Sequence, residues 1–481
     1  MGRVSMRRVA AVAAIAIVPV VTAAQDPKSD VLAAVEKHRD GAEKAALQIW
    51  EYAEVGYQEE KSSALLQQQL RDAGFSVEAG VAGMPTAFVA SFGSGRPVIG
   101  ILAEFDALPG ITQEATPERA PAADKDAGHA CGHHLFGAGS TLAAIAVKDW
   151  LARRRQPGTI RLFGTPAEEG GAGKVYMVRE GLFQDVDIVL HWHAADRNDA
   201  SHSTSLANKS AKFRFHGVSA HAAGAPERGR SALDAVEAMN HMVNMMREHV
   251  PQETRLHYVI TQGGSAPNVV PDFAEVFYYV RHPDPVQVQG IFERVEKAAE
   301  GAALGTGTRM EREIIHGIYA VLPNEPLAHV MTANMKRVGG VKYDAKERAF
   351  AETLRRSLGE TPPPLDQAAE IGPIEFYRSG GSTDVADVSW VVPTGGLRTA
   401  TWVPGTPAHS WQAIAAGGTT IGLKGMLVAA RTLALTAVDL LSDPTLIADA
   451  TAAYRKQLPP GWSYRPLVGD RKPPLDYRNK K

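Results

Sequence analysis

Residues Gly128–Ser140 read GHACGHHLFGAGS. Within that run stand His129, Cys131, His133 and His134, separated by small residues. Cys131 is the only cysteine in a chain of 481 residues. A soft thiolate among imidazoles on a glycine-flanked loop suits a divalent transition metal. The loop leads into an expected helix, and a helix N-terminus favours a thiolate. A buried structural cysteine beside surface histidines has the same composition, so this stretch alone does not decide. Glu168-Glu169, followed by Gly170 and Gly171, is the second feature. Of two such carboxylates, one can hold a metal while the other activates water as a general base. His191, His193 and a late His409 complete the candidates.

The elements that must position these residues follow from patterning. A helix is expected from Asp30, as cap, to Tyr52, and another over Glu59–Ala73. Strands are expected at Ala87–Phe92, Val98–Ala103, Thr159–Gly164 and Asp187–Leu190, with helices from Gly137 to Arg154 and over Lys174–Glu180. Val98–Ala103 is an unbroken apolar run, as in a strand buried on both faces. Strand and helix alternate, which predicts an α/β fold with a mainly parallel sheet. Asp106, Glu168, Glu169, His191 and His193 then fall past strand ends, the edge where such sheets bind ligands.

After Ser205 the rhythm changes. Strands Ser210–His216, Arg255–Thr261, Phe273–Arg281 and Arg309–His316 and helices Arg230–His249 and Val286–Glu300 come in the order βαββαβ. That is the ferredoxin-like split unit, here an inserted domain. Helices near Pro326–Val338 and Ala345–Leu358, a strand at Val388–Val392 and a helical region from Gln412 to Leu441 follow. The domain plan is 1–24 leader, 25–205 and 319–455 catalytic domain, 206–318 insert, and 456–481 a Pro- and Lys/Arg-rich surface tail.

Arg3, Arg7 and Arg8, then the apolar run Val9–Val21, then Thr22-Ala23-Ala24 have the order of a cleavable secretory signal. Export to the periplasm or beyond is expected, and no other stretch reads as transmembrane. A net charge of −2 without a basic block argues against nucleic acid as a partner. A single cysteine excludes an internal disulfide framework.

Further strings stand in order along the chain: TPAEEGGAGKVYMVREGLF, DVDIVLHWH, KFRFHGVSAHAAGAPERGRSALDAV, GGSAPNVVPDFAEV, GSTDVADVSW and GTPAHSW. With the cysteine loop they resemble the dinuclear metallopeptidase/amidohydrolase family of aminoacylases, amino-acid-conjugate hydrolases and glutamate carboxypeptidases. The resemblance runs from about Asp30 to Ile447. It implies a metallohydrolase catalytic domain with an inserted dimerisation or lid domain. It implies two divalent ions, zinc or manganese, with Cys131 as the bridging thiolate. His133, Glu169, His193 and His409 match the other ligands, and Glu168 the general base. His193 is favoured over His191 by its spacing from Asp185.

His221 resembles the histidine that reaches a partner subunit's active site, and Asn268 a residue near the substrate. Asp106 matches a carboxylate that orients a metal ligand. Arg281 ends a strand, where it could pair a substrate carboxylate or form a structural ion pair. The roles of His129 and His134 stay open. The implied reaction is hydrolysis of the amide of N-acyl amino acids, p-aminobenzoyl-glutamate among them, or of small dipeptides. The implied assembly is a homodimer or a heteromer with a related A-type subunit. An inactive binding homologue and a cysteine-nucleophile hydrolase are the competing readings.

Overall fold

A computed structural model describes residues 1–2 and 26–478. The expected signal segment therefore lies almost wholly outside the described residues. The chain enters through α1 (Pro27–Tyr52) and α2 (Glu60–Asp72). The cap of α1 is Asp26, whose side chain accepts from Lys28 N–H, and not Asp30. A proline just inside the helix start explains the earlier beginning. Asp30 is spent on an ion pair with Arg154, 2.6 Å away.

Strands β1 (Ser76–Ala79), β2 (Phe88–Ser94) and β3 (Val98–Ala103) come next. All six residues of β3 are buried. A short pair, β4 (Leu108–Pro109) with β5 (Ala127–Gly128), ties the loop ahead of the cysteine. Helix α3 (His133–Arg154) starts four residues before its expected beginning, so His133 lies in its first turn. Then follow β6 (Gly158–Gly164), α4 (Gly173–Arg179) and β7 (Ile188–Ala195). β7 is longer than expected and carries His191 and His193 within it rather than past its end.

The small strand β8 (Ser203–Thr204) precedes the insert. There β9 (Ala207–His216), α5 (Ala232–Met246), β10 (Arg255–Gln262), β11 (Phe273–His282), α6 (Pro285–Thr306) and β12 (Arg309–Ile318) realise the βαββαβ order. Their sheet runs β10-β11-β9-β12, antiparallel throughout. Phe213, Phe215, Met239, Val276 and Phe292 give this unit its own buried core.

The chain returns through α7 (Glu325–Val338), α8 (Ala345–Arg355), β13 (Tyr377–Arg378), α9 (Val385–Ser389) and β14 (Thr394–Ala400). It finishes with α10 (Trp411–Gly417), α11 (Thr420–Ser442) and α12 (Pro444–Gln457). The main sheet is ordered β1-β2-β6-β3-β7-β14. From β6 to β14 all neighbours are parallel, and β1 and β2 form an antiparallel edge.

Two expectations are overturned, the strand near Val388 and the loose C-terminal tail. The strand placed at Val388–Val392 belongs to helix α9 and its exit, and the strand is β14. Glycines 395 and 396 hide β14 from an apolar scan, because Leu327 and His191 pack where their side chains would stand. Helix α11 has the length and apolarity of a membrane span, yet 89% of its most apolar window is buried within the protein. It is a core helix, packed on α1, α3 and α7. The C-terminal stretch is no loose surface tail either. Leu467 and Val468 are buried, and the rings of Trp462 and Tyr464 pack against Tyr319, edge-on and tilted. The prolines and cations dominate its composition, while these apolar side chains set its path.

Candidate metal centre and its cavity

The cysteine loop turns sharply at Gly132, whose φ is 76°. This conformation favours glycine, and a side chain here would also collide with Ala194. The turn sends Cys131 and His133 into one space below the carboxyl edge of the sheet. His193 joins them from β7, its Nε2 3.4 Å from Cys131 Sγ. Glu169 arrives from the turn after β6. His409 comes from the loop before α10, its Nε2 3.2 Å from Glu169 Oε1.

Donor atoms of Cys131, His133 and His193 all lie within 4.8 Å of one another, and so do those of Cys131, Glu169 and His409. The Cys131 sulfur is common to these two trios, and a third group joins Glu104, His133 and Glu168. The five expected ligands are thus brought together. His191 is in neither trio. Burial lowers the pKa of both His191 and His193 to about 3, so both rings are neutral.

The donor set fits a metal. His133 Nε2 and Glu169 Oε1 are buried and make no well-formed hydrogen bond, although Glu104 and His409 stand 3.1 and 3.2 Å from them. Burial, and then the charge of Glu169, push the Cys131 thiol well above its ordinary pKa. A thiol and several acids crowded in one buried space call for compensating positive charge. Asp106 organises the ligands from behind. It accepts from His133 Nδ1 at 2.9 Å and from Glu169 N–H at 2.8 Å. Because a carboxylate can only accept, Nδ1 carries a proton, and Nε2 is the nitrogen that would hold a metal. Burial opposes a charge on the ring, but Cys131, Asp106 and Glu104 outweigh it and raise its pKa well above the ordinary value, so a bound metal would displace a proton from Nε2.

Glu168 stands beside Glu169 with its pKa raised well above the ordinary carboxylate range, by burial first and then by Glu104, Glu169 and Asp384. Sequence reasoning did not single out Glu104 or Lys174. Glu104 lies 3.1 Å from His133 Nε2, and the fully buried Lys174 bridges Glu104 and Asp384 at 2.7 Å each. Lys174 offsets part of the negative charge under the site. A lysine expected in the first turn of a helix, against the dipole, was the signal for it. His129 and His134 are structural: their Nε2 atoms bond Ile49 O at 3.0 Å and Gly417 O at 3.1 Å.

The cluster opens into a cavity of about 920 Å³ between the main sheet and the insert. Glu168, Glu169, His193 and His409 line it, and Arg281 faces it from the insert. Arg281 Nε has no hydrogen-bond partner. His221 and Asn268 do not line this cavity. They sit together on the exposed rim of the insert, where Ala222 N–H donates to Asn268 O at 3.0 Å.

Comparison with known proteins agrees with this architecture. Residues 207–306 match the peptidase dimerisation domain model of M20 peptidases. The chain is 39% identical over 450 residues to the B-type subunit of p-aminobenzoyl-glutamate hydrolase from Escherichia coli, covering 88% of this chain and 94% of that one. It is 28% identical over 426 residues to the mouse Xaa-Arg dipeptidase, covering 85% and 88%. Among solved structures, a Bacillus subtilis dinuclear metal-binding peptidase of the M20 family shares the fold. Its TM-score is 0.56 at 19% identity, over 85% of this chain and 99% of that one. The chain belongs to the M20 metallopeptidase family and is a metal-dependent hydrolase of amide bonds.

Proposed function

We propose that the protein hydrolyses the amide of N-acyl amino acids carrying an aromatic acyl group, with p-aminobenzoyl-glutamate the first substrate to test. The observation that carries this reading is the sharing of Cys131 between two ligand trios beside Glu168. One trio would hold one divalent ion, the other a second, with Cys131 between them. Zinc suits the Cys/His donors and manganese the carboxylate. When bound, the ions would polarise the substrate carbonyl and lower the pKa of a water.

The chain's own groups do the rest. Glu168 accepts the proton of the attacking water and delivers it to the leaving nitrogen, so one group serves as base and then as acid. Burial and the neighbouring acids raise its pKa, and the positive charge of bound ions would lower it so that the carboxylate can act as base. Arg281 holds the substrate carboxylate across the cavity. Asp106 keeps His133 and Glu169 aimed.

The working unit is a dimer, a pairing of identical chains or of this chain with a related A-type subunit. β10 is one edge of the insert's sheet, with Val259 56% and Ile260 40% exposed, and Met245 of α5 54% exposed. An unpaired apolar edge is a template for another chain. His221 and Asn268 would then act in the partner's cavity. The Met1–Ala24 pattern assigns the mature protein to an exported compartment.

The test is elemental analysis of purified protein together with a panel of p-aminobenzoyl-glutamate, other N-acyl amino acids and dipeptides such as Xaa-Arg. About two metals per chain and preference for aromatic N-acyl amino acids support the reading. Hydrolysis of dipeptides alone would move the assignment to a dipeptidase. Chelator-resistant activity abolished by thiol alkylation would replace it with a cysteine nucleophile.

A further inference from the structure

The last described stretch of the chain ends against the two glutamates. Tyr477 Oη donates a 3.0 Å hydrogen bond to the backbone carbonyl of Glu169. Arg478 Nη2 donates to the same oxygen at 2.6 Å. Its guanidinium lies 4.7 Å from the centre of the Tyr477 ring. Tyr477 packs edge-on against Tyr57, with ring centres 5.7 Å apart, in space left open by the missing side chain of Gly56. Tyr57 O–H in turn donates to Gly171 O at 2.8 Å.

The turn they grip is bent hard. Ala167, Gly170 and Ala172 all have positive φ, at 57°, 92° and 56°. Alanine is ill suited to that region and persists there only where the surroundings over-determine it. The N–H side of the turn is held from within the catalytic domain. Ala167 N–H donates to Glu59 Oε1 and Glu169 N–H to Asp106 Oδ2, each at 2.8 Å. The carbonyl side of Glu169 is held by the tail. The tail is itself tied down before it arrives. Arg179 donates to Arg471 O at 2.7 Å, and Arg471 Nη1 to Ile315 O of β12 at 2.7 Å.

We propose that the C-terminal segment is a positioning element of the active site, acting through Tyr477 and Arg478 on the Glu169 peptide. Two donors on one carbonyl fix the rotation of that peptide. With the rotation fixed, Glu168 and Glu169 project to different tasks. This inference rests on the reading that Glu169 holds metal and Glu168 moves the proton.

The test uses the full-length chain as Tyr477→Phe, Arg478→Lys and the double variant Tyr477→Phe/Arg478→Ala, with Glu169→Gln as control. Zn²⁺ affinity of metal-depleted protein is measured by competition with a chromophoric chelator. Thermal unfolding without metal and kcat and KM on p-aminobenzoyl-glutamate are measured alongside. The double variant should lose roughly 10–100-fold in Zn²⁺ affinity, the scale for groups that orient ligands. Its kcat should fall while KM stays within about twofold, since the lost interaction is not with substrate. Melting of the metal-depleted protein should not move. Arg478→Lys should recover part of the loss, because an ammonium still donates. A double variant with wild-type Zn²⁺ affinity, beside a Glu169→Gln control that has lost it, overturns the positioning role. So does a loss that only tracks a lower melting temperature and is not relieved by lysine. If Glu169→Gln itself keeps full Zn²⁺ affinity, the ligand reading fails, and this inference with it.

Discussion

Asp106→Asn isolates the orientation of the ligands from their identity. The Asp106 side chain is fully buried, and each oxygen has one donor: His133 Nδ1–H on Oδ1 and Glu169 N–H on Oδ2. Asparagine keeps the shape but can accept through only one of the two positions. If its NH₂ turns to His133, the ring must accept at Nδ1. The proton then moves to Nε2 and blocks the lone pair the metal needs. If the NH₂ turns to Glu169, two donors face each other and the Glu169 peptide shifts. A hydrogen bond to a charged group contributes roughly 1.5–3 kcal/mol. That corresponds to about 10- to 150-fold in metal affinity. The metal-free fold should not suffer in step. Glu59, whose pKa is pushed up to about 8 by burial first and Asp106 second, gains from losing that charge. The assay is Zn²⁺ titration of metal-depleted protein beside thermal melts of the same material. Wild-type metal affinity in a folded Asp106→Asn variant refutes the argument. A large drop in metal-free stability would refute the claim that the role is orientation.

The legible parts of the fold were those with one unbroken signal. β3 is a continuous apolar run because both its faces are buried, and its limits coincide with the expected Val98–Ala103. The insert was legible because its central strands β9 and β11 alternate over much of their length and its helices are amphipathic, with turns between. β14 was not, because two glycines stand near its start. What it packs against, a helix and the His191 ring, comes from elsewhere in the chain. The ligand residues were recognisable as types, and the choice of His193 over His191 came from family spacing. The structure separates the two physically: His193 meets Cys131, while His191 packs its ring against the Gly396 backbone. Glu104 and Lys174, which meet Asp384, were not foreseen. Their meaning lies in mutual distance across three segments, which no local pattern encodes. The tail shows the same limit. Its composition says surface, whereas Tyr477 and Arg478 find one carbonyl more than 300 residues away in the chain.

The adjacent glutamates should separate in function. Glu168→Gln should keep its metal while kcat falls by roughly 10²–10⁴-fold. Glu169→Gln should lose metal first and be partly rescued by adding it; a reversed pattern in dialysis and rescue assays would swap the roles. In acid, Asp149 gives a stability signature. Burial opposes the shift, but hydrogen bonds from His38, Lys37 and Lys148 outweigh it and hold the pKa at about 2, against 3.8 ordinarily. The unfolded chain therefore binds more protons in that window, so stability is full above it and lost as pH falls from about 4 to 2. Melts of Asp149→Asn over this range should show a shallower slope, and an unchanged slope would remove Asp149 from the explanation. The final prediction concerns the partner. His221 is exposed on the rim of the insert and absent from its own chain's cavity. If it serves the neighbouring cavity, a His221→Ala chain and a Glu168→Ala chain are each inactive as homodimers. In their heterodimer one cavity combines an intact Glu168 with an intact His221, while the other lacks both. Mixing should restore activity toward a quarter of wild type, since about half of randomly exchanged dimers are hybrid and each has one good site. A mixture that stays inactive after exchange is proven by mass spectrometry would place His221 in its own chain's site or outside the reaction.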